Sequence, residues 1–251
     1  DIIQIITPGT LIDVGLDEKR NNYVASIEDF NTFFVIAYSD LSTGELGVLN
    51  TEHDEDNLAN ELEALEVKEV VVSPSFNKNY IKDVVTKKGI TVSTQNDSEV
   101  TLDYEKVLME INDIRQMKAL VRLIDYMTHT QKRSLDYLQT AKVLKTKQFL
   151  QMDSYTRFNL ELTRTIRSDD RYGSLFWLLD KTKTAMGARL LKKFIIKPLY
   201  DKDEINRRLD MVEILSNNYL ARQELMLKLN EVYDLERLIA RISYGNANAR
   251  D

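Results

Sequence analysis

Three strand-sized apolar segments lie close together early in the chain: Tyr23 to Ile27, Phe33 to Tyr38 and Glu45 to Leu49. Turn residues join them, at Asp29 to Asn31 and at Ser42-Thr43-Gly44. A parallel crossover needs a dozen or more residues, so links this short confine the three to an antiparallel meander. The pattern then changes. Leu58, Leu62 and Leu65 recur at helical spacing, Glu69 to Val72 is a strand ended by Ser73-Pro74, Ile81, Val84 and Val85 mark a helix ended at Gly89, and Ile90 to Ser93 is a last strand. Three antiparallel strands followed by helix, strand, helix and strand predict an RNase H-like α/β fold. A further strand, Ile2 to Ile6, is expected before it, ended by Thr7-Pro8-Gly9.

The second half reads differently. After a polar, acidic loop from Asn96 to Glu105, a stripe of Ile114, Met117, Leu120, Val121, Ile124 and Met127 predicts a long helix. Short extended pieces over 138–152 mark a boundary, which divides the chain into residues 1–140, α/β, and residues 141–251, all-helical. Met152, Tyr155, Phe158, Leu162 and Ile166 are expected on one face of a helix capped by Asp153. Leu175 to Leu179 is apolar all round and is expected to be buried all round. Leu190, Leu191, Phe194 and Ile195 form a core face on the next helix, which Pro198 stops. Asp201 and Glu204 suggest a capping box ahead of a stripe of Ile205, Leu209, Val212 and Leu215. Another helix follows over Leu220 to Val232, and Asp234 caps a last one with Leu235, Leu238, Ile239 and Ile242 facing inward. Several short helices on one centre describe a hub, with Gly173 and Thr182 to Gly187 as its candidate joints.

Charge separates the halves in the same way. Residues 1–140 carry 25 acidic against 13 basic side chains, and residues 141–251 carry 15 against 21. An acidic first half argues against a phosphate backbone as its main ligand, because that affinity comes from Lys and Arg. The basic charges of the second half are spread through amphipathic helices, the pattern of a solvated surface. No apolar run approaches the roughly 20 residues of a membrane span. Cysteine is absent, so disulfides are excluded and a cytoplasmic home is the default. The chain lacks an initiator Met and starts almost at once on a strand, so it is expected to be cut from a longer protein.

Catalytic signals are sparse. No G-x-x-x-x-G-K-[ST] loop occurs, so the chain carries no nucleotide cradle of that kind. The sharpest enzymatic alternative is a metal-dependent nuclease, since RNase H-like enzymes hold two metal ions with carboxylates. Asp40, at the end of a strand, is the candidate, with Glu61, Glu63 and Asp83 as partners; the competing reading has Asp40 stabilising its own turn. His53 sits in an acidic run and His129 at a helix end, and neither is expected to hold a metal. Phe176, Trp177 and Phe194 sit among leucines at helical spacing and are expected in a core, not stacked on bases.

Several ordered motifs carry a resemblance. They are I-I-T-P-G-T (Ile5 to Thr10), T-Q-K-R-S-L (Thr130 to Leu135), N-L-E-L (Asn159 to Leu162), G-S-L (Gly173 to Leu175), L-D-x-T-x-T-x-M-G-x-R-L-L (Leu179 to Leu191), P-L (Pro198-Leu199), I-x-x-R-L-D-x-V (Ile205 to Val212) and D-L-E-R-L-x-A-R-I (Asp234 to Ile242). In this order and spacing the chain resembles the connector and the first part of the core of the MutS family of DNA mismatch-repair proteins. The resemblance implies a non-catalytic connector and a helical core that pass conformational signals. It implies ATP and Mg bound elsewhere in the parent, none in this piece, and mismatched duplex DNA held by the parent's other domains. The parent would be a homodimer and this piece a monomer, with a MutL-type partner docking on the connector. His129, Gln131, Lys132 and Arg133 are the candidate partner surface, taken as exposed and without a structural task. Gly173, Thr182, Thr184, Gly187 and Arg189 are the candidate structural joint.

Overall fold

The computed structural model describes residues 4–12, 16–98, 104–245 and 247. The chain packs as two units. The first takes residues 1–17, 21–145 and 236–251, and the second takes 18–20 and 146–235. Sequence divides the chain once, near residue 140; packing exchanges short segments between the halves.

The first unit is built on a six-stranded sheet. β1 (Tyr23–Asp29), β2 (Phe33–Asp40) and β3 (Glu45–Glu52) form the meander. β4 (Glu69–Val72) lies parallel to β1, and β5 (Thr91–Thr94) parallel to β4. A two-residue β6 (Lys142–Val143) adds in parallel to β3, giving the order β5-β4-β1-β2-β3-β6. Helices α1 (Glu55–Ala64) and α2 (Lys82–Lys88) precede β4 and β5; α3 (Glu105–Leu108) and α4 (Ile114–Gln131) follow. Without β6 this is the RNase H-like arrangement expected.

Both faces of the sheet are covered. Val24, Val35, Ala37, Val48 and Val71 join Leu120, Leu123 and Met127 of α4 in one apolar layer. Ala25, Ile27, Phe34, Ile36, Val70 and Val72 join Leu58 and Leu62 of α1 and Val84 of α2 in the other. Strand side chains alternate between faces, so a strand covered on both sides reads as one unbroken apolar run, as Phe33 to Tyr38 does. Local signals stop the helices. Asp54 accepts from the Asn57 N–H to start α1, and Gly89 ends α2 in the left-handed region at φ 63°.

In the second unit α5 (Ser154–Asn159), α6 (Leu175–Leu179), α7 (Ala185–Ile196), α8 (Lys202–Asn217) and α9 (Tyr219–Leu229) follow in order. α10 (Leu235–Ser243) starts at the second unit's last residue and continues into the first. The caps at Asp153 and Asp201 are where sequence puts them, and Thr184 adds a third. Asp153 accepts from Thr156 N–H (2.6 Å), Thr184 from Gly187 N–H (3.0 Å) and Asp201 from Glu204 N–H (2.8 Å). The Glu204 carboxylate is taken by Arg207 (2.7 Å to both Nε and Nη2), with Arg208 beside it.

Several expectations fail here. Residues 4–6 are not in a strand; Ile5 N–H donates instead to the Thr130 carbonyl at the end of α4 (2.8 Å). Residues 1–3, the rest of that expected strand, and 99–103 of the polar loop lie outside the described residues. The stripe from Met152 to Ile166 is not one helix: α5 has six residues, and Glu161 follows it at φ 47°. Of Leu175 to Leu179 only Phe176 is buried, and Trp177, like Phe194, is exposed. On α7 the buried residues are Ala188, Arg189 and Lys192, whereas Leu190 faces solvent. Ile205, Leu209, Val212 and Leu215 on α8, and Leu235, Ile239 and Ile242 on α10, are exposed. Periodicity identifies an apolar face but not a partner for it; Leu209, Val212 and Ile242 stay more than half exposed, and Phe194 is met by the Arg208 guanidinium.

Candidate functional site

Among its described residues the first unit buries Glu28, Asp40, Glu61 and Glu69. Glu69, at the start of β4, is fully buried. Its Oε1 accepts from Ser93 Oγ (2.6 Å) and from the Tyr126 hydroxyl; its Oε2 accepts from Thr7 Oγ1 (2.5 Å) and Gly9 N–H (3.0 Å). Burial, then the bond to Glu69, raises the Tyr126 hydroxyl's pKa. The Thr7-Pro8-Gly9-Thr10 run is thereby pinned as a short 3-10 turn (Pro8–Thr10). Gly9 is required there because a Cβ would lie 2.8 Å from the Cβ atoms of both Glu69 and Val24. In a second centre, Arg122 on α4 meets Glu28 on β1 and Asp97 beyond β5, with Lys118 bridging both acids. Burial pulls the Arg122 guanidinium down to about 10.

The third centre is Asp40. Its Oδ1 accepts from Ser42 N–H (2.9 Å) and Ser42 Oγ (2.7 Å), and its Oδ2 from Asn21 Nδ2 (2.8 Å) and Asn22 N–H (3.2 Å). Oδ1 braces the turn and Oδ2 ties it to the residues just ahead of β1, the arrangement of a carboxylate bracing backbone. Of its proposed companions, Glu63 pairs with Lys88 (3.2 Å), and Asp83 sits in the first turn of α2. No group of three or more His, Asp or Glu among the described residues is placed to hold a metal. His53 stacks on Phe34 (centroids 4.4 Å) with Nε2 3.0 Å from Asp29 Oδ1.

The candidate partner surface divides on inspection. His129 and Lys132 are exposed at the end of α4. Gln131 is fully buried, with Oε1 accepting from Gln4 Nε2 (2.6 Å), so it does not belong to an exposed motif. Lys132 has a structural task as the left-handed C-cap of α4, at φ 55°. Arg133 has one too: its guanidinium donates to the Tyr244 carbonyl, beyond α10. The Tyr244 hydroxyl accepts from Tyr137 (3.3 Å).

In the second unit the joint residues gather around two ion pairs. The Asp180 side chain is only 1% exposed. Its Oδ2 takes Lys19 Nζ (2.9 Å) and the Arg171 guanidinium, and its Oδ1 takes Thr182 N–H (3.2 Å) and Oγ1 (2.5 Å). Burial by itself would push this carboxyl up; the Thr182 bonds and Lys19 outweigh it and hold it at about 2. The Arg171 guanidinium also lies 4.5 Å over the Phe176 ring. Gly173, at φ 90°, turns the chain into Ser174, whose hydroxyl caps α6. Thr184 caps α7 through Gly187, where a Cβ would come within 3.0 Å of Thr184 Oγ1 and 3.4 Å of Thr182 Cβ. Arg189, 3% exposed, makes a two-pronged pair with Asp234 (2.7 and 2.8 Å) and donates to the Glu18 carbonyl (2.8 Å). The strap 18–20 is thus held by Lys19 on one side and Arg189 on the other. The joint residues Thr182, Thr184, Gly187 and Arg189 surround these pairs; Asp180, Lys19 and Arg171, which sequence reasoning did not single out, complete them together with Asp234, which sequence placed as a helix cap.

Comparison with known proteins gives this arrangement a family. Residues 22–139 match the family model for MutS domain II, and residues 155–251 match that for MutS domain III. The chain belongs to the MutS family. It is 43% identical over its whole length to the DNA mismatch repair protein MutS of Geobacillus kaustophilus (strain HTA426) and 41% to that of Geobacillus thermodenitrificans (strain NG80-2). Identity to the protein of the same name from Bacillus cereus (strain G9842) is 40%. The chain spans about 28% of the length of these relatives. The sheet unit therefore carries the MutS connector, and the helical unit belongs to the core. Asp180 and Arg189 stand inside the L-D-x-T-x-T-x-M-G-x-R run that carried the resemblance, so the motif is explained by what it holds: the strap and the start of α10.

Proposed function

We propose that this chain is the non-catalytic connector-and-core module of a longer mismatched-DNA-binding protein. The paired centres at Asp180 and Arg189 serve there as the joint that relays conformational signals. The supporting observation is the strap: three residues of the N-terminal region are gripped by charged side chains of the helical unit. Such a grip is directional, so a change in the packing of α7 alters where the strap is held. Coupling of this kind requires an element with two arrangements that both sites bias. ATP and Mg would bind in other parts of the parent; no residue here forms a phosphate loop, so no step is assigned to them. On this reading the parent is a cytoplasmic homodimer and this piece alone is a monomer. Among the described residues, no helix is long and apolar enough to cross a membrane.

The test uses the full-length protein with Lys19→Ala and Asp180→Asn, separately and together. Mismatch binding should survive, while the ATP-driven release from mismatched DNA should slow or lose its dependence on nucleotide. Wild-type release in all three variants would refute the joint. For the MutL-type partner we assign the exposed end of α4, His129 and Lys132, leaving out the buried Gln131. Lys132→Glu should weaken partner recruitment in surface plasmon resonance on mismatched DNA; unchanged recruitment would remove α4 from the interface.

A further inference from the structure

β5 forms one edge of the sheet and is bonded on its inner side to β4. Thr91 N–H donates to the Lys68 carbonyl (3.1 Å) and Gln95 N–H to the Val72 carbonyl (3.0 Å). In a parallel ladder these roles recur every second residue, so Val92 and Thr94 turn their N–H and C=O groups outward. Exposed edges are commonly guarded by lysine, proline or a bulge. β5, Thr-Val-Ser-Thr, has neither Lys nor Pro.

Beside this edge lies a shallow cleft of about 240 Å³. Ile81, Val85 and Val92 form its apolar lining, and Lys78 and Lys82 its charged lining. Lys78, Lys82 and Lys87 are exposed and form no ion pair with any described residue, whereas Lys88 pairs with Glu63. Asp83, on the same helix, is not part of the lining. This basic patch stands out in the acidic half of the chain, which carries 25 acidic against 13 basic side chains. Its ligand must therefore supply three things: negative charge, an apolar side chain, and an unpaired backbone.

We propose that the β5 edge takes an extended acidic peptide of a partner protein as an additional strand. The peptide backbone bonds Val92 and Thr94. One apolar side chain rests on Ile81, Val85 and Val92, and flanking carboxylates meet Lys78 and Lys82. Backbone bonds supply affinity in this mode, and the cleft with its lysines supplies selectivity. The proposal is independent of the joint around Asp180.

The probe is a short capped peptide alternating Glu and Val, titrated into the isotopically labelled chain and followed by amide NMR shifts. Saturable shifts should centre on Val92, Thr94, Lys78 and Lys82. N-methylation of alternate peptide amides should abolish them, and Lys78→Glu with Lys82→Glu should weaken binding by about tenfold or more. Thr94→Pro removes an outward N–H without touching the ladder to β4, and it should lose binding with little change in melting temperature. If that variant fails to fold, the N-methylated peptide still decides. Shifts scattered over many lysines and indifferent to N-methylation would mean charge attraction alone and overturn the proposal. So would the absence of saturable shifts at millimolar peptide.

Discussion

In the connector, Phe34, Ile36 and Leu49 fill one apolar layer and Val35, Val48 and Leu120 the other, all fully buried. In the core, the buried set among the described residues is Leu162, Ser174, Phe176, Ala188, Arg189 and Lys192, with the Asp180 side chain beside them. One unit is held by area removed from water, which is non-directional and scales with contact. The other is held largely by charges whose geometry must be met, and whose loss leaves a partner buried and unpaired. A structure of the first kind resists any displacement. One of the second kind can be stable in a particular arrangement and be released by altering a single pair, which is the property a relay needs.

The sharpest way to test that contrast is to damage each unit in its own currency of stabilisation. Phe34→Ala empties a site against His53 and Tyr80 and should cost about 3–5 kcal/mol, read from urea unfolding. A loss below about 1 kcal/mol would show a connector core far looser than its burial implies. Arg189→Ala removes the two-pronged pair with Asp234 and should cost about 3 kcal/mol. Hydrogen exchange should quicken in α7 while β1 to β4 stay protected; equal loosening of both units would erase the distinction.

Asp180→Asn should cost roughly 2 kcal/mol at neutral pH. The sign follows from the direction of the shift. The folded carboxyl sits at about 2, below its ordinary value of about 3.9. Its stabilisation is therefore complete above the ordinary value and lost as pH falls toward the folded one. Wild type and variant should converge in acid, and a gap that persisted at the lowest pH would rule out the charge as its cause. The smallest effect belongs to Leu209→Ala. Leu209 is 58% exposed on α8, so the change should stay within about 0.5 kcal/mol. A cost approaching that of Phe34→Ala would mean that this face is covered in solution.

Much of the architecture was legible in the sequence because its causes are local. The apolar strand runs, the caps at Asp153 and Asp201, and the stops at Gly89 and Pro198 act within a few residues of chain. The sites were legible only in part. Thr182, Gly187 and Arg189 were found through their motif. Lys19 lies 161 residues from Asp180, and Arg189 lies 45 from Asp234, so neither pairing leaves a local trace. Gln131 looked like surface because a Gln among Lys and Arg carries no mark of its burial or of its bond to the Gln4 amide. The surroundings of Asp40 were hidden for a related reason: sequence placed it at a strand end, but only the fold showed that Asn21, Asn22 and Ser42 bond its oxygens.

By itself the sequence determined the meander and the strands and helices that follow it to β5, most of the later helices, and which family the motifs belong to. Backbone preferences and hydrophobic period are properties of neighbouring residues. The tertiary structure alone decided which apolar faces are covered, which charges are paired, and that residues 18–20 and 236–245 pack with the opposite half of the chain. Burial and ion pairing depend on what stands opposite a side chain, and the order of residues does not contain that.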